Sequence, residues 1–436
     1  MANETMVLLE KIVVPSGGAS SVTFTSIPQS YTDLVVKISG RSTSTTSNWT
    51  AVRVAFNGTS ATTNWSGREL YATGSAAASW TYSSDQSAGG FITTANATSS
   101  TFGNTEIYIP NYTSSDNKSM STDSVTENNA TSATIALEAT LWSNTAAVTS
   151  LSLTPQAGNF VQYSTFYLYG VAKQGVTPTN APAATGGDSI VFDGTYWIHT
   201  FYSSGTFTPK KNLTCDYLVV AGGGAGGASG GQSHGGGGGG AGGYRTSTGF
   251  STSANTNYTV TVGAGGAGNT TTKGGNGSNS VFSTVTSDGG GGGGYGVDAG
   301  TDRQGNNGGS GGGSGSSNSA SIAGGTGTAG QGNNGGDSGP AGVGRAGSGG
   351  GASAAGTTAA TITTDTAGGA GTASSISGSS VTYAVGGGCN GTINTQFPSG
   401  TANRGNGGHG AYNGSGVTQY AGGSGGSGIV IVRYAA

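Results

Sequence analysis

The side chains of this chain that could do chemistry are few and stand far apart among glycines. Three histidines, His199, His234 and His409, and two cysteines, Cys215 and Cys389, occur at separations that fit no zinc-ligand spacing. No metal site is expected, and the cysteines read as small buried residues, with pairing to each other as the alternative. Gly263-Ala-Gly-Gly-Ala-Gly268 satisfies the dinucleotide-binding pattern and follows a strand-like run. That motif holds phosphates only where a helix opens behind it, and Asn269-Thr-Thr-Thr-Lys-Gly274 is no helix. The G-x-S-x-G pattern of nucleophile elbows occurs at Gly227-Ala-Ser-Gly-Gly231 and Gly422-Gly-Ser-Gly-Gly426, again without the helix it needs. With 89 glycines in 436 residues, chance accounts for both patterns. A carboxylate pair for glycan hydrolysis would have to come from Asp188, Asp193, Asp216, Asp288, Asp298, Asp302, Asp337 and Asp365, mostly in turn-like contexts where Asp bonds its own backbone. Gly293-Gly-Tyr-Gly-Val-Asp298 is a single copy of a calcium-binding repeat that works only in tandem. The chain is therefore expected to be no enzyme and to take no cofactor.

A different kind of signal lies in aromatic, cationic and imidazole residues isolated among glycines. His234, Tyr295, Arg303, Phe397, Arg404, His409 and Tyr412 are the candidates for contact with a ligand. Aromatic faces and arginine forks suit sugar rings and carboxylates. His409, Tyr412 and Phe397 fall in the most irregular stretch and are expected at an exposed tip. For Tyr244, Phe250 and Tyr420, packing at the ends of a bundle is an equal alternative.

The elements that would position these residues divide the chain in two. Only 12 of the 89 glycines lie in residues 1–175, leaving 77 in the remainder. Charged residues make up 8%, against about 25% in ordinary globular domains. No glutamate follows Glu138, and β-branched and aromatic residues sit in short runs bounded by Gly, Asn, Ser and Pro, which reads as all-β. Residues 1–173 hold eleven alternating runs, from Val7–Val14 to Thr165–Val171, and predict a β-sandwich of jelly-roll type. Domains are expected at 1–174, the sandwich, and 189–436, the glycine-rich part. Residues 175–188, with Pro178 and Pro182 among small residues, read as a semi-rigid linker. After Ala221, glycine tracts alternate with strand-like segments such as Tyr258–Val262, Ser280–Thr286, Ser319–Ala323, Thr361–Thr366, Ser374–Ala384 and Gly428–Tyr434. A strand leading into or out of a glycine tract recurs, as in a stacked array.

Four readings of the tracts compete. Collagen needs strict Gly-X-Y order and abundant proline, and the chain has nine prolines. A flexible linker would leave Ile429-Val-Ile-Val-Arg-Tyr434 as an unpaired, aggregation-prone strand. Ordinary sheet is weakened by glycine interiors. The fourth reading, polyglycine II, has extended helices of three residues per turn that retain their N–H groups and lack a Cβ, so neighbours can bond laterally through their backbones. Ordering glycine costs roughly 0.5–1 kcal/mol more than ordering alanine, while a hydrogen bond returns about 0.5–1.5 kcal/mol net. Many helices must therefore assemble together, clamped by flanking strands.

Tyr217-Leu-Val-Val-Ala-Gly-Gly-Gly224, Gly240-Ala-Gly-Gly-Tyr-Arg245, Tyr258-Thr-Val-Thr-Val-Gly-Ala-Gly-Gly-Ala-Gly268 and Gly425-Gly-Ser-Gly-Ile-Val-Ile-Val-Arg-Tyr434 resemble the glycine-rich C-terminal domain of bacteriophage tail proteins. That domain is similar in character to the polyglycine II adhesins at the tips of T-even-like long tail fibres. The resemblance covers roughly residues 188–436. Residues 1–173 resemble a β-sandwich module of structural proteins of marine and cyanobacterial phages, through Phe56-Asn-Gly58, Glu106-Ile-Tyr-Ile-Pro-Asn-Tyr112, Ser124-Val-Thr-Glu-Asn-Asn-Ala130 and Phe160-Val-Gln-Tyr-Ser-Thr-Phe-Tyr-Leu-Tyr-Gly170. The resemblance implies a tail-fibre or receptor-binding adhesin, with a capsid decoration or fibre protein as the alternative. It also implies partners: other virion proteins through the N-terminal domain, and a host surface glycan or protein at the loops. A homo-oligomer is expected, trimeric by analogy with fibres, although no heptad marks one. The N-terminus lacks a signal-peptide pattern and no run approaches about 20 apolar residues. The expected location is the virion, assembled in the host cytoplasm and released by lysis, without membrane insertion. The formal charge of −3 offers no basic face for nucleic acid.

Overall fold

Alternating runs of the N-terminal half become strands because each buries one face, while the glycine tracts become something else. The computed structural model describes residues 6–59, 64–74, 76–83, 89–129, 132–172, 181–230, 234–298, 300, 302–317, 321–340, 345–358, 365–389, 397–412 and 419–436. In chain order the strands are β1 (Met6–Val13), β2 (Val22–Phe24), β3 (Asp33–Ser42), β4 (Trp49–Phe56), β5 (Trp65–Thr73), β6 (Ala76–Ser83), β7 (Phe91–Thr94), β8 (Gly103–Ile109), β9 (Lys118–Val125), β10 (Thr134–Trp142), β11 (Leu151–Pro155) and β12 (Thr165–Val171). They continue with β13 (Ala184–Thr185), β14 (Ser189–Phe192), β15 (Tyr196–Phe201), β16 (Gly205–Pro209), β17 (Leu213–Val220), β18 (Tyr244–Thr252), β19 (Tyr258–Thr261), β20 (Ser280–Phe282), β21 (Val285–Ser287), β22 (Thr372–Ser374), β23 (Val381–Tyr383) and β24 (Ile429–Ala435). The described residues are all-β. No helix among them is long and apolar enough to cross a membrane.

Two compact units divide the chain: residues 1–183 with 188–197 and 436, and residues 184–187 with 198–435. In the first, one antiparallel sheet runs β14–β1–β12–β3–β8–β9–β10–β5–β6. A smaller sheet runs β2–β11–β4–β7, with β7 also parallel to the end of β3. The connectivity is compatible with a jelly roll: β2, β11, β4 and β7 in one sheet, and β3, β5 and β6 in the other with the β8–β9–β10 meander between β3 and β5. Both sheets feed one core, with Phe24, Phe56 and Leu151 from the smaller and Val36, Ile38, Trp65, Trp142 and Phe166 from the larger. Full burial of such side chains contributes roughly 1.5–3 kcal/mol each.

Two differences from the sequence expectation stand out here. β6, Ala-Ala-Ala-Ser-Trp-Thr-Tyr-Ser, has little β propensity in its first half, Ala76–Ser79, yet all eight of its residues pair with β5. β14, read from the sequence as part of the glycine-rich segment, adds to the edge of β1 through Lys11 and Ile190. Residues 175–180 of the expected linker lie outside the described residues.

The second unit has a base of strands. β17 lies between β18 and β24, with Val430, Ile431 and Val432 of β24 fully buried. β16, β19, β20 and β21 form a second small sheet, with β13 on β16. The run expected as one strand at Ser280–Thr286 is a hairpin, turned at Ser283, whose φ is +54°. Likewise Ser374–Ala384 is the end of a hairpin, β22–β23. Aromatic rings knit this base: Phe282 lies 5.0 Å from Phe250, 6.0 Å from Tyr217 and 6.1 Å from Phe207, ring centre to ring centre. Of the strand expected at Ser319–Ala323, the described residues 321–323 are not strand, and 361–364 of Thr361–Thr366 lie outside the described residues.

From this base grows the glycine array. In the tract 235–243, Gly236, Gly239 and Gly242 donate to the carbonyls of Ala411, Gly408 and Gly405. Gly237, Gly240 and Gly243 donate to Gly294, Gly291 and Asp288, and Gly238 and Ala241 to Gly347 and Gly350. Every third amide reaches the same neighbour, which steps by three residues in turn: this is the three-residue turn of polyglycine II. The carbonyls of the tract accept from three further neighbours, through Gly224 and Gly227, Gly313 and Ser316, and Gly387. Six tracts thus surround one, and the N···O distances of these eight donated bonds are 2.7–3.0 Å. The tract 221–229 repeats the pattern, donating in rotation to 237–243, 272–278 and 420–426. A Cβ built on Gly239 would fall on the carbonyl oxygen of Gly224, so the spacing tolerates no side chain there. Where the lattice leaves room, small side chains fill it: Ala225, Ala228, Ala241, Ser310 and Ser314 are fully buried.

Candidate functional site

A tract can only be as long as its neighbours, so the chain must turn at both ends of the array, and side chains reappear there. One end carries the strand base. At the other, distal end, the bridges Ser229–Tyr420, Ser229–Gly296 and Gly235–Tyr412 bring five tracts to a common finish. Six of the seven ligand candidates, His234, Tyr295, Arg303, Phe397, His409 and Tyr412, gather at this end. Arg404 does not. Its backbone N–H donates to Ser427 and its carbonyl accepts from Ala384, beside the base, with its side chain exposed.

The distal end is built around two histidine–aspartate pairs. His234, 4% exposed, places Nε2 2.8 Å from Asp298 Oδ1, and its carbonyl accepts from Ser229 Oγ at 2.8 Å. His409 places Nε2 2.8 Å from Asp365 Oδ1 and Nδ1 2.8 Å from the carbonyl of Gly410. In both pairs the imidazole is inside and the carboxylate outside: the side chains of Asp298 and Asp365 are 51% and 71% exposed. Arg303 braces a turn, donating from Nε to the Gly300 carbonyl and from Nη1 to the Asp298 carbonyl and Ser317 Oγ. The hydroxyl of half-buried Tyr295 accepts from Gln419 Nε2 at 3.1 Å. Asp302, whose carbonyl accepts from Tyr295 N–H, lies 3.9 Å from Lys273 Nζ.

Phe397 and Tyr412 correct the expectation of an exposed aromatic tip. They are 7% and 1% exposed and pack with Ala411 and Tyr420, while the Phe397 ring stacks on His409 at 6.0 Å and 21°. The bulk of these rings, too large for the lattice, closes its end. Among the described residues at this end, the carboxylates of Asp298 and Asp365 and the amide of Gln419 face outward. Such groups are suited to hydrogen-bonding the hydroxyls of sugars.

The motifs weighed from the sequence dissolve into the lattice. Gly266 of the dinucleotide-like run donates to Gly223, and Gly425 and Gly426 of the second elbow-like run donate to Gly266 and Asn406. Their amides are spent on neighbouring tracts and are closed to phosphate or oxyanion. Cys215 and Cys389 are both free and buried, and Cys389 Sγ lies 3.3 Å from the Ala346 carbonyl. Among the described residues no cluster of three or more His, Cys, Asp or Glu side chains is placed to hold a metal ion.

Sequence reasoning missed the asparagines. Asn276 Oδ1 accepts from Gly292 N–H, Asn279 Oδ1 from Gly289, Asn307 Oδ1 from Thr326, Asn334 Oδ1 from Gly327 and Asn406 Oδ1 from Val385. Each side-chain amide stands where a neighbouring tract's carbonyl would otherwise be. The signal was present as Asn interrupting or flanking glycine runs at these positions.

Sandwich, strand base and laterally bonded glycine helices together define an all-β protein with a glycine-lattice domain. The chain belongs to the glycine-rich domain family, whose profile matches residues 201–435. No curated protein matches it.

Proposed function

We propose that this chain is a phage virion protein, a tail-fibre or receptor-binding adhesin that presents the distal turns of its glycine array to the host surface. The observation that carries the reading is the division of labour within the second unit. Backbone bonds, with asparagine amides at the margins, hold the tracts, so exposed side chains at the distal end such as Asp298 and Asp365 are not required for the core. The solvent-facing carboxylates of Asp298 and Asp365 are held there by His234 and His409, and many weak contacts from such groups would sum through multivalency. The resemblance to glycine-rich phage tail domains points the same way.

The reading is tested with purified protein as a competitor of particle adsorption. The wild-type chain is expected to block adsorption, and the double variant Asp298→Ala, Asp365→Ala to block at least about tenfold less well, the equivalent of about 1.4 kcal/mol. Particles whose chain lacks residues 221–436 should assemble and fail to adsorb. Normal adsorption by those particles would overturn the proposal and favour a role in head decoration.

A further inference from the structure

On the outward face of the larger sheet of the first unit, one strand, β10, is built the wrong way round for water, while its neighbours β9 and β8 present Ser119, Ser121, Asp123, Asn104 and Glu106. Along β10 the inward residues are Thr134, Ala136, Glu138, Thr140 and, at its end, Trp142, and the outward ones are Ile135, Leu137, Ala139 and Leu141. A sheet with one wet face shows the opposite alternation, and a slip of one residue would exchange the two sets. Nine register pairs with β5 and eight with β9 fix the arrangement as it stands. Ile135, Leu137 and Leu70 are 53%, 54% and 57% exposed, and Leu70 lies directly across from Leu137. A groove of about 610 Å³ opens beside Leu141 on the same face. A contiguous apolar patch of this kind marks an interaction surface.

We propose that this face seats a second copy of the chain, sheet on sheet, about a twofold axis running close to β10. Two strands flank β10 on each side, β9 and β8 on one and β5 and β6 on the other, and the sheet continues only beyond β8. The rotation therefore lays each β9 over the β5 of the partner subunit. Three charged residues point outward from β5, β6, β8, β9 and β10: Arg68 on β5, Asp123 on β9 and, beside Asp123 on β8, Glu106, which is paired with Lys37 at 2.7 Å. Arg68 and Asp123, of opposite sign on opposite sides of β10, are each carried toward their complement, and Glu106 is carried over the uncharged β6, so no like charges meet. At strand spacings of about 4.8 Å and rises of about 3.3 Å per residue, five strands of this length cover roughly 600 Å² per copy. The resulting total of about 1,200 Å² clears the roughly 1,000 Å² of a specific interface. This inference is independent of what the glycine array binds.

Sedimentation velocity on the full chain at micromolar concentration tests it. The wild-type protein should be dimeric, and Leu137→Glu should weaken association at least about 100-fold. Because a leucine variant could also perturb folding, the exposed charges give a second arm. Arg68→Glu and Asp123→Arg should each weaken association about tenfold or more, and the two together should restore it to near the wild-type value. A monomeric wild type, an oligomer indifferent to Leu137→Glu, or a double charge variant no better than the singles would each overturn the proposal.

Discussion

His199 shows how a single residue ties the stability of the second unit to pH. It is fully buried, with Nδ1 2.7 Å from the Gly186 carbonyl and Nε2 3.1 Å from the Tyr434 hydroxyl. The neutral ring satisfies both, donating from Nδ1 and accepting at Nε2. Burial lowers its pKa from 6.5 to about 4. Between those values the unfolded chain takes up a proton that the folded one refuses, so stability is fully present above about pH 6.5 and falls as pH drops toward 4. The loss is on the order of 3 kcal/mol. Denaturant titrations from pH 7 to 4 should show it, and His199→Gln should flatten the dependence. Asn276 makes the complementary point about a polar group at the lattice margin. Its Oδ1 accepts from Gly292 N–H at 2.9 Å and from Asn306 Nδ2 at 2.7 Å. Asn276→Ala leaves a buried N–H without an acceptor and should cost about 1–3 kcal/mol. Asn276→Asp, which keeps the oxygen, should cost less. Hydrogen exchange at the Gly292 amide distinguishes local opening from a global effect.

At the level of elements, tract and strand obey different rules of substitution. A strand tolerates side chains on both faces, whereas a tract with six neighbours admits a methyl only at particular positions such as Ala241. Gly239 and Ala228 are both buried within tracts, but a Cβ at 239 would occupy the position of the Gly224 carbonyl, and the Ala228 methyl already has its place. Gly239→Ala should therefore destabilise by at least about 2 kcal/mol and lower the melting temperature by on the order of 5 °C. Ala228→Gly should cost only the extra ordering entropy, roughly 0.5–1 kcal/mol. Thermal melts of the two variants check the contrast. Equal costs would mean that glycine content, and not close approach, sets the stability of the array. Strand β6 shows the other side: its alanine-rich first half, weak in propensity, is strand because β5 offers a full edge.

Over the whole molecule, the two units rest on different physics, one on an aromatic and aliphatic core and the other on backbone hydrogen bonds between glycines. Calorimetry should resolve two transitions, with Gly239→Ala shifting only one of them. A single transition displaced as a whole by that substitution would show the units to be thermodynamically coupled. Much of this organisation was legible in the sequence. The break in glycine content, the all-β character of Val7–Val171 and the polyglycine II nature of the tract after Ala221 follow from composition and period, because a run without Cβ atoms leaves the backbone as the only source of cohesion. The sequence could not say which tract lies beside which. Gly236 bonds to Ala411 and Gly238 to Gly347, and nothing in a glycine distinguishes those partners. Side chains carry address in an ordinary core; here turns, asparagines and tract lengths must supply it, and they act only once the lattice has formed. Tertiary structure likewise decided that Phe397 and Tyr412 close the array instead of tipping it, since a ring among glycines is apolar surface that the lattice end can bury. The apolar residues of β10, regular in sequence, acquired their outward direction only from register, because a period of two specifies two faces without saying which one meets water.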